Sequence, residues 1–338
     1  MTAADPVATV SVPDQPTVQT ALRLAGRAPS FHNTQPWYWV FDGHRLHLYA
    51  DSYRTLSTAD PHGRQQLISC GAVLHHARTA FAALGWHADP LRLPDPYRPG
   101  YLAVVDFRPW PDPPAGVVRR AHAITERYSE RRPMRAPGDF DATMLSLRRL
   151  ARPHRVEVDV LEEKARPQLA AISEQTAAAH REDQFHQQEL MCWAEHFDDS
   201  EGFAETSLIS ADEASRTHAG HPFPTAPQSV HHRALTDAAR LVVLSCAADN
   251  PDEWPAVGEA LSAILLECAS TGLSTCALTH LTESRIARAA IAVLLPHALF
   301  PQVVVRIGVA PVAHTRSART SRRRLSDCLE IRTTPIGE

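Results

Sequence analysis

Four segments carry side chains whose types and spacing could do chemistry. The first is Ala28-Pro29-Ser30-Phe31-His32-Asn33-Thr34-Gln35-Pro36-Trp37. Pro29 cannot continue a preceding helix, so the chain breaks there. Ser30, Asn33 and Gln35 then present a hydroxyl and two carboxamides at a helix-to-strand junction. Each carboxamide offers a donor and an acceptor. That set suits the edge of a planar heteroaromatic such as an isoalloxazine; a polar loop closed by Asx-turns is the plainer alternative. The second segment is Arg127-Tyr128-Ser129-Glu130-Arg131-Arg132. Arg127 and Arg131 share a face if the helix before them persists, and two guanidinium forks with the Ser129 hydroxyl suit a phosphate. A solvated basic helix end has the same composition.

The third segment is Arg319-Thr320-Ser321-Arg322-Arg323-Arg324. Alone it reads as a solvated basic tail or a nucleic-acid patch. In an acidic chain it is also a second arginine cluster able to converge with the first on one phosphate, through Arg322 or Arg323. The fourth runs from Gly258-Glu259-Ala260, near the start of a helix, to Gly272-Leu273-Ser274-Thr275-Cys276. Gly272 caps that helix, and the small residues after it let backbone N–H groups approach a flat ligand. An ordinary helix-to-strand turn is the alternative.

The elements that must position these segments follow from apolar periodicity. Helices are expected over 16–28, 64–85, 117–128, 140–151, 165–200, 255–271 and 283–294, and strands over 37–41, 45–50, 101–107, 155–161, 241–247 and 302–308. The pattern is α+β. Gly85 is the expected cap of the second helix. The proline-rich stretch 108–116 marks a boundary. Residues 200–233 have little periodicity, and so long a connection in a compact domain is often functional.

Composition narrows the function classes. With 34 Lys and Arg against 38 Asp and Glu, the net charge of −4 argues against holding nucleic acid by overall positive charge. The six cysteines form no CxxC pair, which predicts reduced, buried thiols in a cytoplasmic protein. The 19 histidines include His75–His76 and His231–His232 but no HExxH, so they read as packing or surface residues and no metal is expected. GxGxxG, GxxxxGK[ST] and GxSxG are all absent. No apolar run is long enough for a membrane span, and the first 15 residues read as a leader without secretory character.

Together the four segments resemble the nitroreductase superfamily of FMN-dependent oxidoreductases. That family carries an RRSxR-type helix end, an APSxxNxQPW loop, a Gly-Leu-small-small segment after its central helix, and RxG followed by a basic tail. The counterparts are Arg127–Arg131, Ala28–Trp37, Gly272–Cys276, Arg306-Ile307-Gly308 and Thr320–Leu325. The order is unusual, because the arginine motif follows the APS loop instead of preceding it. Where a second APS loop would stand, the chain reads Ala151-Arg152-Pro153-His154-Arg155-Val156, without amides. Ordinary members are homodimers with FMN at the interface. The resemblance therefore implies two fused nitroreductase-like halves, 16–116 and 117–330, followed by a tail 331–338. One FMN site would remain, and a monomer could suffice.

The arrangement is that of the Acg-like subfamily. Further matches are Arg64–Gly71, Ser200-Glu201-Gly202, Ser207–Ser210 and Thr279–Glu283. The resemblance implies FMN held by Ser30, Asn33, Gln35, Arg127, Ser129, Arg131, Gly272, Leu273, Ser274 and Arg322 or Arg323, with no catalytic acid or base. It also implies a lid within about 200–233, for which Phe203, Leu208, Ile209 and Phe223 supply apolar cover, with Trp193 and Phe197 before it. Two functions follow: a flavin shielded from NAD(P)H, with little or no turnover, or an active NAD(P)H-dependent oxidoreductase acting on nitro compounds or quinones.

Overall fold

Asp14 starts the first helix by accepting the Thr17 amide at 3.0 Å, and Pro16 sits in the first turn, where no N–H is needed. The helix, α1 (Gln15–Ala25), buries Val18, Ala21, Leu22 and Ala25. Its apolar face rests against α2 (Arg64–Ala83). In between, β1 (Trp37–Phe41) and β2 (Leu46–Ala50) form a hairpin. Its turn is set by Asp42, which accepts the His44 and Arg45 amides, and by Gly43 at φ +90°. The computed structural model describes residues 11–195, 217, 235–311 and 320–332.

Two sheets organise the described residues. The first has the order β3-β4-β2-β1-β9, with β3 at Trp86–Arg92, β4 at Tyr101–Pro109 and β9 at Leu329–Ile331. All its pairs are antiparallel except β1 with β9, which run parallel with Trp39 opposite Leu329. The C-terminal strand thus joins the sheet of the first half. The second sheet, β5-β6-β8-β7, is antiparallel throughout and comprises Glu157–Val160, Arg240–Cys246, Phe300–Gly308 and Ser274–Leu278. On it or beside it lie α4 (Phe140–Ala151), α5 (Arg166–Glu182), α7 (Trp254–Ser270) and α8 (Arg285–Ala292), while α3 (Ala115–Ala123) packs on α2 and α7, and α6 (Gln184–Glu195) on α5. The expected 165–200 helix is two helices, broken at Asp183. Strands β3 and β9 had no expectation: β3 carries Pro90 and lies at a sheet edge, where proline is tolerated.

The two cores meet where α2 crosses α7. A Cβ on Gly71 would lie 1.9 Å from the Pro255 carbonyl oxygen, and a Cβ on Gly258 would lie 1.9 Å from the Ile68 carbonyl oxygen. Each glycine faces the backbone three residues before the other, so the contact is reciprocal, as in an isologous interface. One core packs Trp37, Trp39, Phe41, Leu46 and Leu48 under α1 and α2. A second packs Val242, Leu244, Val303 and Val305 under α7. Beside the crossing, Glu259 of α7 is wholly buried and ion-paired with Arg92 (2.5 Å) and Arg78 (3.0 Å) of the first half.

The five described cysteines are buried and unpaired. His75 and His76 both place Nδ1 2.7 Å from the Ser262 Oγ. Among the described residues no cluster of His, Cys, Asp or Glu could hold a metal, and no helix is long and apolar enough to cross a membrane. The crossing yields a direct test. In Gly71→Ala or Gly258→Ala the new methyl meets backbone, which no rotamer change relieves. Each should cost on the order of 3 kcal/mol or more, read as a fall in Tm or loss of soluble protein. Gly138→Ala, with nothing within 4 Å of the added Cβ, should be close to neutral. Equal behaviour of the three variants would refute the close crossing.

Candidate functional site

The loop after α1 is held in a strained form. His32, Asn33 and Gln35 have φ of 45°, 57° and 47°, the left-handed region that non-glycine residues rarely occupy. Such strain persists only where surroundings over-determine it, and it clusters at functional sites. Here the surroundings are identifiable. The Ser30 Oγ accepts the Gln35 amide at 3.0 Å, and the Ser69 Oγ of α2 accepts the Phe31 amide at 3.0 Å. Arg54 donates Nε to the Thr34 carbonyl at 2.6 Å. Arg323 donates to the Gln35 and Trp37 carbonyls at 3.0 and 3.1 Å and pairs with Asp51 at 3.1 Å.

The two carboxamides differ in role. Gln35 is 1 % exposed, and its side chain is used inside the loop: Oε1 accepts the Arg323 amide at 2.9 Å and Nε2 donates to the Asn33 carbonyl at 3.3 Å. Asn33 reaches across to the Ser321 carbonyl at 3.4 Å. The basic tail is therefore part of this loop's architecture.

The arginines divide into two groups. After α3 the last helical bond is Arg127 N–H to the Ala123 carbonyl, and the chain then extends, with Ser129 bridged to Thr275 of β7 and the Glu130 amide bonded to the Thr275 carbonyl. Arg127 and Arg131 thus do not share a helix face. Arg127 and Arg322 each donate an Nη2 to the Arg27 carbonyl, at 3.1 and 3.4 Å. Neither has a carboxylate partner among the described residues, and the buried Nε of each has no hydrogen-bond partner there. Burial, then the Arg27 charge, pushes Arg127 down to about 10; burial, then Arg127 and Arg27, pushes Arg322 down to about 9. Arg131 lies on another side, where its charge bears on His32 and Cys276. Of the two tail candidates, Arg322 joins the cationic cluster and Arg323 clamps the loop.

The fourth segment closes the same region. Gly272, at φ +79°, ends α7 in a Schellman motif: Leu273 N–H bonds to the Cys268 carbonyl at 2.8 Å and Gly272 N–H to the Ala269 carbonyl at 3.1 Å. Ser274 opens β7, whose next residue, Thr275, carries the arginine segment. Arg27 and Arg54 escaped the sequence reading, and His32 and Ser69 lay inside quoted motifs without a role of their own. Arg27, one residue before the APS motif, is the one its position could have flagged. The lid residues Phe203, Leu208, Ile209 and Phe223, with Phe197, lie outside the described residues.

The geometry is a strained polar loop beside Arg127 and Arg322, which no carboxylate among the described residues meets, suited to an anion and an adjoining planar group. No family model matches the chain. A Mycobacterium tuberculosis protein named "Putative NAD(P)H nitroreductase acg" is 37% identical over 316 residues, 93% of this chain and 96% of that protein. A second M. tuberculosis protein, also named a putative NAD(P)H nitroreductase, is 33% identical over 326 residues, 94% of this chain and 92% of that protein. The chain belongs to this Acg nitroreductase family. Among solved structures it is similar to the FMN-dependent nitroreductase NfnB of Mycobacterium smegmatis in complex with NADPH, at 17% identity over 65% of this chain and 98% of that one, with a TM-score of 0.37. It is also similar to an FMN- and NADPH-dependent NfnB from a Sphingopyxis strain, at 14% identity over 62% and 97%, with a TM-score of 0.41.

Because folding lowers the Arg127 pKa, its charge opposes the fold fully below about 10 and stops doing so only as pH rises from there towards 12.5. Arg127→Gln should therefore leave the Tm at pH 7.5 unchanged or raised. The same variant should lose the Tm increase that inorganic phosphate gives the parent protein. A lowered Tm with the phosphate response intact would mean that Arg127 is structural.

Proposed function

We propose that the chain binds one FMN and holds it under cover, with little or no NAD(P)H turnover. The observation that carries the FMN reading is the pair Arg127 and Arg322, which donate to one carbonyl and meet no carboxylate among the described residues. A phosphate monoester would neutralise them and occupy their orphaned N–H groups. Asn33 and the Ser30–Gln35 backbone would face the ring edge, Gly272–Ser274 would lie along the adjoining wall, and Arg131 would stand by His32. Gln35 and Arg323 would act by shaping the loop. Bound FMN would supply two-electron redox chemistry; the protein would contribute position, hydrogen bonds and exclusion of water.

One site per chain is favoured by what stands where a second would be. After α4, Arg152–His154 make a short turn and Arg155 takes φ 56°, but no carboxamide is present. His154 there lies 4.0 Å from Glu259, whose carboxylate already neutralises Arg78 and Arg92. This reading treats the chain as two fused halves, so that a monomer suffices, and the reciprocal glycine crossing supports it. Buried free thiols fit a reducing, cytoplasmic setting.

Shielding is supported by the family likeness. The second reading, an active NAD(P)H-dependent oxidoreductase reducing nitro compounds or quinones, is favoured by the designation of the M. tuberculosis relatives. Two measurements decide. Flavin released from purified protein should equal one FMN per chain; a value near two would sink the fused-half argument. In stopped-flow mixing, NADPH or NADH should bleach the flavin slowly while dithionite does so at once. Shortening residues 200–224 should then raise the nicotinamide rate by orders of magnitude and leave FMN bound. Rapid bleaching of the intact protein would instead establish the oxidoreductase, and an inert, folded deletion would remove the lid.

A further inference from the structure

The two sheets and the helices beneath them repeat one another. The second sheet runs β7-β8-β6-β5, and the first runs β3-β4-β2-β1 before β9 is added. Gly85 and Gly272 follow the crossing glycines, Gly71 and Gly258, at the same spacing, with φ of 81° and 79°. The repeat equates the residue after each crossing glycine: Ala72 on α2 with Glu259 on α7. Both are buried, at 1 % and 0 % exposure. Ala72 lies one turn from Ser69, which bonds the loop after α1. Glu259 stands by the matching loop after α4, where the His154 Nδ1 lies 4.0 Å from its Oε2. One position thus carries a methyl group at one loop and a carboxylate at the other.

That carboxylate fills a donor set which other elements hold in place. Arg92 of β3 grips it with its whole fork, Nε donating to Oε1 at 2.5 Å and Nη2 to Oε2 at 2.9 Å. Arg78 of α2 adds Nη1 to Oε2 at 3.0 Å, and its Nε is tied to the Ala88 carbonyl at 3.2 Å. A planar guanidinium fork of this kind matches a carboxylate. Glu259 itself is sealed from water, but the Arg78 and Arg92 side chains are 28% and 38% exposed. Solvent therefore reaches the cluster from the arginine side.

We propose that Glu259 is an internal ligand: Arg78 and Arg92, with His154 beside them, form a second anion site that the chain keeps shut with its own carboxylate. Its ligand class is the small carboxylate. Truncating Glu259 to alanine removes one methylene and the carboxylate, a space that acetate matches, between two guanidinium groups that a solute can reach. The equation of this cradle with a lost second site rests on the two-half reading; the donor set stands on its own distances.

The test is thermal unfolding of the full chain in acetate and in chloride at equal ionic strength. Glu259→Ala should melt below the parent in chloride, and acetate should return most of the loss, because it binds the folded variant and not the unfolded chain. Glu259→Gln should also melt below the parent but respond to acetate no more than the parent does, since its carboxamide still fills the place. In Glu259→Ala/Arg92→Gln the acetate affinity read from the Tm titration should fall roughly 10- to 150-fold, the effect of losing a charged hydrogen-bond donor. If Glu259→Ala is recovered only unfolded, its refolding yield from urea in acetate against chloride gives the same reading. Equal acetate responses in the parent and Glu259→Ala overturn the proposal, and so does an acetate response that survives Arg92→Gln. A flavin count near two in the parent would remove the two-half reading and leave the acetate result to decide the cradle.

Discussion

The contact on which the rest depends is the crossing of α2 and α7. Two helices can approach this closely only where neither presents a side chain, and Gly71 and Gly258 meet that condition reciprocally. Their separation sets how near the loop after α1 comes to the segment after α3. Ser69 and Cys70, beside Gly71 on α2, bond the loop at Phe31 and Pro36. At the far end of α7, the Gly272 cap turns the chain into β7, which carries Ser129 and Glu130 through Thr275. A change of a few tenths of an ångström at the crossing therefore moves both walls of the candidate site at once.

The electrostatics of the two arginine sites differ in kind. Arg78 and Arg92 meet Glu259, a carboxylate that the chain itself supplies, so that ion pair is complete and costly to break. Among the described residues Arg127 and Arg322 meet carbonyl and hydroxyl oxygens but no carboxylate, and burial, then neighbouring arginine charge, lowers both pKa values. Two buried cations that meet no carboxylate among the described residues cost stability there. A bound anion returns it through linkage, and that difference distinguishes a site built for a ligand from a site built for structure.

Much of the frame was legible from local pattern. Strand β1 and helix α4 occur at the expected residues, because alternation or helical periodicity, Pro36 and the Asp139 cap mark their ends. The expected helix over 165–200 divides at Asp183, since its polar composition gives no local sign of a break. β9 is three residues long and forms only because the tail returns to the edge of β1, a pairing across most of the chain. Among the site residues, the motif picked out Gln35 but not its role, which depends on an amide from residue 323. His32 attracted no reading, because its left-handed backbone exists only in the folded loop.

By itself, then, the sequence determined residue types and the elements that carry them: an α+β chain, a carboxamide loop after a helix, arginines in two places, and a capped central helix. These depend on neighbours within a few positions, where propensity, capping and periodicity act. Only the tertiary structure decided which arginines converge, that Arg27 stands with Arg127 and Arg322, that Arg323 holds the loop instead, and that Glu259 closes the other cluster. Charges interact through space over several ångströms regardless of chain separation. Residues 27, 127 and 322 become one cluster only after burial of the two cores has brought their backbones together.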